Sequence, residues 1–520
     1  MAKAAVTDEA PLTQTLLVNF YVLLRQWPTT TILLLLALRF LIRRYLSPLR
    51  KYPGPFLASG TRLYSLILTA RGRTHEDHVA LHRKYGSIVR IQPNQLSFSS
   101  PEAARQILSP GKGFHKTNFY WVFPPYNNPD IFTEVRENVH ATKKRFVNQP
   151  YSLASFQALA PWIDQTIKVL TRKLDFYAER STKTIDLGNF LHWFAFDVLG
   201  EAAFSSSFGF VEQERDVDGA IKFIDTVQQY DGIVGQIPFL DYLLRRSPYW
   251  DYLPFVSPLT NNYITRTALG QMTAREDGTA VVGRRDLLSQ LFEAHEKDPE
   301  KFDKGSVFAV AHGAIFAGSD STASTMQTFM WNVLNNKAVY DKLTEEILAA
   351  DRNGDLGEIV TWEESQKCLP YFQACLKEAM RVGPAVGLAI YRKVPGAGTE
   401  IDGVFVPGGT ELAVNAHVLH KDQAIFGQDA DVFRPERWLV KEGDEKGEAR
   451  IKAMDRHMFQ FGGGAHVCIG RNLAILEMNK VLPQILRRYK FELNYPGRPM
   501  KKHSTFFVVQ EGLEVSIEKR

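Results

Sequence analysis

Phe461-Gly462-Gly463-Gly464-Ala465-His466-Val467-Cys468-Ile469-Gly470 is a glycine-rich loop closing on one cysteine, and a helical pattern follows it from Asn472 to about Arg488. Glycine adopts positive φ without a Cβ clash, so this run can turn tightly and let backbone approach a flat ligand. Backbone N–H groups in such a loop, with the positive end of the following helix, favour a thiolate over a thiol. The pattern predicts a metal-ligating sulfur at Cys468. Taken alone it is also readable as a structural cysteine in a turn. Cys468 and His466 are also two ligand types of a zinc site, with no second pair to complete it.

Upstream, Glu378 and Arg381 stand three apart on an apolar helical stretch, Leu369 to Arg381, where they can pair on one face. Between them and the cysteine loop lies Phe433-Arg434-Pro435-Glu436-Arg437-Trp438. Earlier still, Ala317-Gly318-Ser319-Asp320-Ser321-Thr322 sits inside a helical run from about Lys304 to Asn336. A glycine inside a helix costs about 1 kcal/mol relative to alanine, so this one needs a reason. Gly313, Ala317 and Ser321 recur at four-residue steps and make a face of small residues. With one acid and two hydroxyls beside it, that face suits a dioxygen pocket, or close helix packing. Cys368 and Cys375 have no such loop and read as core thiols. Three sparse cysteines argue against a disulfide framework and for a reducing compartment.

The 520-residue chain reads as mainly α-helical with a small β portion. Strand patterns occur at Ile88–Ile91 and Leu96–Phe98 around a Pro93-Asn94 turn. They recur at Ala389–Val394 and Thr399–Ala413, and near Phe506–Ile517. The stretch from Tyr151 to Asn336 is helical in pattern. The net charge of +5 is modest and concentrated near the N-terminus, which argues against nucleic acid as a partner. Residues 1–50 read as an N-terminal membrane anchor with a single-pass helix at about 27–46. Arg39, Arg43, Arg44, Arg50 and Lys51 then fall on the cytosolic side. Pro53-Gly54-Pro55 reads as a hinge, and residues 51–520 as a single globular domain.

The segments around Asp320, Glu378, Arg437 and Cys468, in this order, resemble those of the cytochrome P-450 family, whose cysteine loop has the pattern Phe-x-x-Gly-x-Arg-x-Cys-x-Gly. Phe461, Gly464, Cys468 and Gly470 match it. His466 stands where the family has an arginine that pairs with a haem propionate. The finer likeness is to filamentous-fungal microsomal members of the pisatin demethylase type. The resemblance implies the family fold and heme b (iron protoporphyrin IX) with Cys468 as its axial thiolate, which favours O–O cleavage. It implies a network of Glu378, Arg381 and Arg437. It implies proton delivery to O2 by Asp320 and by Ser321, which stands where the family has a threonine, with Thr322 as the lesser substitute and Ala317 beside the dioxygen. His140, Lys144 and Arg145 on an early helix, with Arg392 on a later strand, are its propionate candidates. Substrate contacts are expected at Phe119–Tyr126, including Tyr120 and Phe123, at His312 and Gly313, at Val386–Ile390, and at Thr505–Phe507, including Phe506. Aromatic residues there suit an apolar or aromatic small molecule, such as a secondary metabolite.

The sequence holds no dinucleotide-binding fingerprint and no flavin domain. The resemblance therefore implies electrons from NADPH through a separate cytochrome P-450 reductase, with cytochrome b5 as a second donor. It implies residence in the endoplasmic reticulum membrane with the catalytic domain in the cytosol. Two other readings stay open at this point: a haem-thiolate isomerase or dehydratase needing no external electrons, and a non-catalytic haem-binding protein.

Overall fold

The computed structural model describes residues 19, 21, 25–123, 128–180, 184–247, 263–280, 283–441, 443–504 and 506–520. Seven helices position the site: α1 (Pro28–Tyr45), α2 (Glu137–Val147), α3 (Leu187–Phe204), α4 (Ala220–Val234), α5 (Lys304–Asn335), α6 (Pro370–Val382) and α7 (Arg471–Arg488). The fold is mainly helical with small sheets.

Helix α5 is the spine. Asp303 caps it, accepting a hydrogen bond from the Ser306 N–H at 2.7 Å, so one otherwise unpaired first-turn donor is satisfied. Its 32 residues run about 48 Å at ~1.5 Å per residue. From Thr322 to Met330 every residue of α5 is buried. Helices α3, α6 and α7 pack around it, as a helix buried on all sides requires. α3 is of the same kind, buried on most faces from Leu187 to Phe204.

The largest sheet has five strands, in the spatial order Ile88–Gln92, Gln95–Phe98, Glu411–Val414, Ile390–Lys393 and His115–Lys116. The first two form an antiparallel hairpin, and Gln95–Phe98 runs parallel to Glu411–Val414. In the last pair Lys116 stands opposite Arg392, which puts two cations side by side. A three-stranded sheet closes the C-terminus, and Lys501–Ser504 pairs with Val508–Glu511 in a separate hairpin.

Helix α1 has nearly the expected bounds, but not the expected span. Eighteen residues rise only about 27 Å, against ~30 Å of bilayer hydrocarbon. Arg39, Arg43 and Arg44 also fall inside it. Among the described residues no helix is long and apolar enough to cross a membrane. Leu33, Leu34, Leu35, Leu36 and Leu38 are nonetheless exposed. The Pro-Gly-Pro segment is docked on the first strand of the sheet. The Arg90 N–H donates to Pro53 O at 2.7 Å, and a Cβ on Gly54 would collide with Arg90 O. The buried Arg90 guanidinium reaches Arg43 O at 2.8 Å, holding the end of α1 to the sheet.

Candidate functional site

The cysteine loop is shaped by its glycines. Gly462 and Gly464 have φ of 72° and 61°, a region where a side chain is strained. A Cβ on Gly464 would also collide with the carbonyl oxygen of Leu108. The Cys468 N–H donates to Phe461 O at 2.8 Å, closing the loop. Cys468 is accessible, yet burial dominates its ionisation, so its sulfur can be reached at a place shielded from bulk water. Ala317 is accessible in the same way in mid-α5, between buried Ile315 and Ser319. The N–H groups of Gly470 and Arg471 donate to the sulfur, and the charges of Arg471 and Lys144 also favour the thiolate. Burial outweighs them and pushes the thiol up, contrary to the expectation of a thiolate set by the loop alone. Cys375 is fully buried and Cys368 half-buried, and no cysteine is paired.

Lys144 anchors the loop. From α2 its Nζ donates to Ala465 O at 2.6 Å and Val467 O at 3.4 Å, a different use from the expected propionate contact. Arg145, the next residue, is exposed and takes no place in the site.

On α5, Ser321 shares a face with Ala317 and its hydroxyl donates to Ala317 O at 2.8 Å. Thr322, one position on, turns away. Its hydroxyl donates to Gly318 O at 3.0 Å and bonds the buried Glu477 carboxyl of α7, so it does not substitute for Ser321. Burial pushes Glu477 well up. Asp320 faces α3 and α4. His192 Nε2 lies 2.8 Å from its Oδ1, and the Gln228 amide donates to its Oδ2 at 2.8 Å.

The propionate end gathers more residues than the sequence reading named. His140 stacks on His466 with ring centroids 4.2 Å apart, and His466 Nε2 lies 3.1 Å from Glu137 Oε2. Burial holds His466 below its usual range, with Arg392 and Lys116 adding to the effect and Glu137 opposing it. At neutral pH it is therefore a neutral donor where an arginine would carry charge. Lys116 had no motif to mark it. Its Nζ donates to Ile131 O and Phe132 O, both at 2.8 Å, and burial beside Arg392 pushes it down to about 7. Arg392 donates to Tyr391 O at 2.8 Å and to the Tyr120 hydroxyl at 3.3 Å. Glu137, His140 and His466 bring their donor atoms within 4.8 Å of one another, a geometry that could hold a metal ion. Lys116 and Arg392 lie close enough to shift His466, which favours an anion at this end.

Behind the cysteine loop, Glu378 accepts from Arg381 through both oxygens at 2.8 Å, from Arg437 Nε at 2.8 Å, from Trp438 Nε1 at 2.8 Å and from Arg434 N at 2.9 Å. Arg381 also donates to His420 O, Ala430 O and Val432 O. His420 carries this network to the loop, a link with no local sequence signature. Its Nε2 accepts from the Phe459 N–H at 2.8 Å, which leaves the proton on Nδ1 for Arg381 O at 3.1 Å.

The expected substrate residues divide. Phe123 and Phe506 pack edge-to-face with Phe132, and Val386 bridges to Phe507, so these come together as one aromatic wall. Tyr120 joins that wall by its ring, but its hydroxyl is taken by Arg392 and the Tyr391 N–H. Gly313 is a packing glycine: a Cβ there would lie 2.5 Å from Asp130 Oδ2. His312 is buried and pushed down to about 4, and its Nδ1 has no partner among the described residues. Residues 124–126 and Thr505 lie outside the described residues.

These residues fit an iron porphyrin on three counts. The reachable sulfur faces the interior. The tight glycine loop keeps backbone flat beneath it. Buried Lys116 and Arg392 place positive charge where the propionates would lie. Comparison with known proteins agrees. The model of the family described as Cytochrome P450 matches residues 53–516. The cytochrome P450 monooxygenase cicH of Emericella nidulans is 35% identical over 480 residues, 90% of this chain and 93% of the relative. Pisatin demethylase of Fusarium vanettenii is 34% identical over 483 residues, 91% of this chain and 89% of the relative. The monooxygenase gsfF of Penicillium aethiopicum is 32% identical over 504 residues, 92% of this chain and 95% of the relative.

Proposed function

This chain belongs to the cytochrome P450 family, and from that premise we propose that it is a microsomal monooxygenase inserting one oxygen atom of O2 into an apolar or aromatic secondary metabolite. The observation that carries the reading is the reachable Cys468 sulfur, held by two backbone donors on a loop tied through His420 to the buried Glu378 network. When bound, haem supplies the oxygen-activating redox chemistry, with Cys468 as its axial ligand. The rest is this chain's work. Lys144 fixes the loop carbonyls, while His140 and Arg392 would hold the propionates, with His466 packed on His140. Ala317 leaves room on the distal face, and Ser321 presents a hydroxyl there. Asp320, one residue away, would pass protons towards it and is held by His192 of α3 and Gln228 of α4.

An aromatic substrate is supported by the wall of Phe123, Phe132, Phe506 and Phe507, and a monooxygenase by relatives named as such. Electrons would come from NADPH through the cytochrome P-450 reductase, with cytochrome b5 as an auxiliary donor. Residence at the endoplasmic reticulum membrane, with residues 1–50 as anchor and 51–520 as a cytosolic domain, is supported by exposed leucines on α1. The exposed apolar residues Phe56, Leu57, Leu63, Ile67, Phe239 and Leu243 support it too.

The test is reconstitution with the reductase. Oxygen uptake that depends on NADPH, and a product heavier by one oxygen, are the expected result. Conversion of substrate without NADPH would instead favour an isomerase.

A further inference from the structure

Four side chains from three helices meet beside the dioxygen face. Asp320 of α5 bonds His192 of α3 and Gln228 of α4, each at 2.8 Å, and Gln228 is itself fixed by the Phe507 N–H at 3.1 Å. Asp225 lies one helical turn before Gln228 and so shares its face of α4. Its Oδ1 is buried and has no partner among the described residues. Asp225 lies close enough to Asp320 and His192 for their charges to act on it, so two carboxylates and one imidazole gather beside the fixed Gln228 amide.

We infer that His192 and Asp225 are positioning residues that resupply Asp320 with protons, forming a route from solvent to the distal face of the haem site. This rests on the monooxygenase reading above. In each cycle the Nε2 proton of His192 passes to Asp320 Oδ1 while the other ring nitrogen of His192 gains one that comes from Asp225 by way of water, and Asp225 takes a new proton from solvent. No electrons move in these steps. Burial, then the charge of Asp320, pushes Asp225 up to about 7, with Glu511 and Asp216 acting in the same sense and His192 against it. A carboxyl half-protonated near neutral pH is matched to this task. Exposed Glu511 at the outer end gives the route an opening to water.

The test uses Asp225→Asn and His192→Gln in the full-length holoprotein, since both keep hydrogen-bonding side chains of similar size. An infrared pH titration without turnover is expected to show a carboxyl band with a midpoint of about 7 that Asp225→Asn abolishes. In reductase-driven oxygen reduction without added substrate, both variants are expected to divert electrons from water to hydrogen peroxide. A change of about tenfold is expected, with a larger solvent deuterium isotope effect. Full retention of the carboxyl band in Asp225→Asn, or wild-type peroxide yield and isotope effect in both variants, would overturn the inference while the thiolate spectrum stands. Absence of that spectrum in the wild-type protein would instead remove the reading on which the inference rests.

Discussion

The two sides of the site are built in opposite ways. Behind the cysteine, Arg381 and Arg437 each place five N–H bonds on Glu378, Asp429 and backbone carbonyls, with both guanidiniums buried. On the distal side, Asp225 Oδ1, Ser319 Oγ and His312 Nδ1 are buried and have no partner among the described residues. A fully satisfied network has one arrangement and resists change; a partly satisfied one can exchange protons and accept ligands. The first side therefore holds geometry and the second carries chemistry. Substitutions should separate them as losses of fold on one side and losses of rate on the other.

The largest effect is expected at Glu378. Glu378→Ala leaves two buried guanidiniums without their shared carboxylate, a loss of roughly 3–5 kcal/mol. Haem content and soluble yield should collapse together. Next comes Asp320→Asn, which keeps the shape but removes the carboxylate that can relay protons. It should cut reductase-driven water formation about a hundredfold while leaving the thermal midpoint nearly unchanged. Acid should act on the structural side. Burial pushes His420 down from 6.5 to about 3, so the folded state keeps it neutral while the unfolded chain protonates it. Folded stability is then lost as pH falls below about 6.5 and continues to fall towards about 3. Melting curves across that window should show the decline, and His420→Gln should flatten part of it. The smallest effect is Ser321→Thr. Its added methyl fixes the hydroxyl rotamer, about 0.5 kcal/mol or roughly a twofold drop in peroxide leakage.

The same contrast governs what could be read from sequence. Glu378 and Arg381 are visible because their partnership is local to one helix face, and the cysteine loop because its glycines are adjacent to the ligand. Arg437 joined them only through resemblance, since no local rule links residues so far apart. His420, Lys116, His192, Gln228 and Asp225 carry no motif at all. Each acquires its role from another element packing against it, which periodicity cannot report. Thr322 was separable in principle, because adjacent helical positions point to different faces and only Ser321 is four residues from Ala317. The bounds of α1 were readable from its apolar run, but the three arginines inside it weigh against a span.

The central claim is that the Cys468 sulfur binds the iron of a haem. The deciding measurement is the carbon monoxide difference spectrum of the reduced protein, recorded for wild type and Cys468→Ser. The wild type should show the red-shifted Soret band of thiolate ligation and the variant should lose it. A variant that keeps that band and oxidises substrate at the wild-type rate would contradict the account.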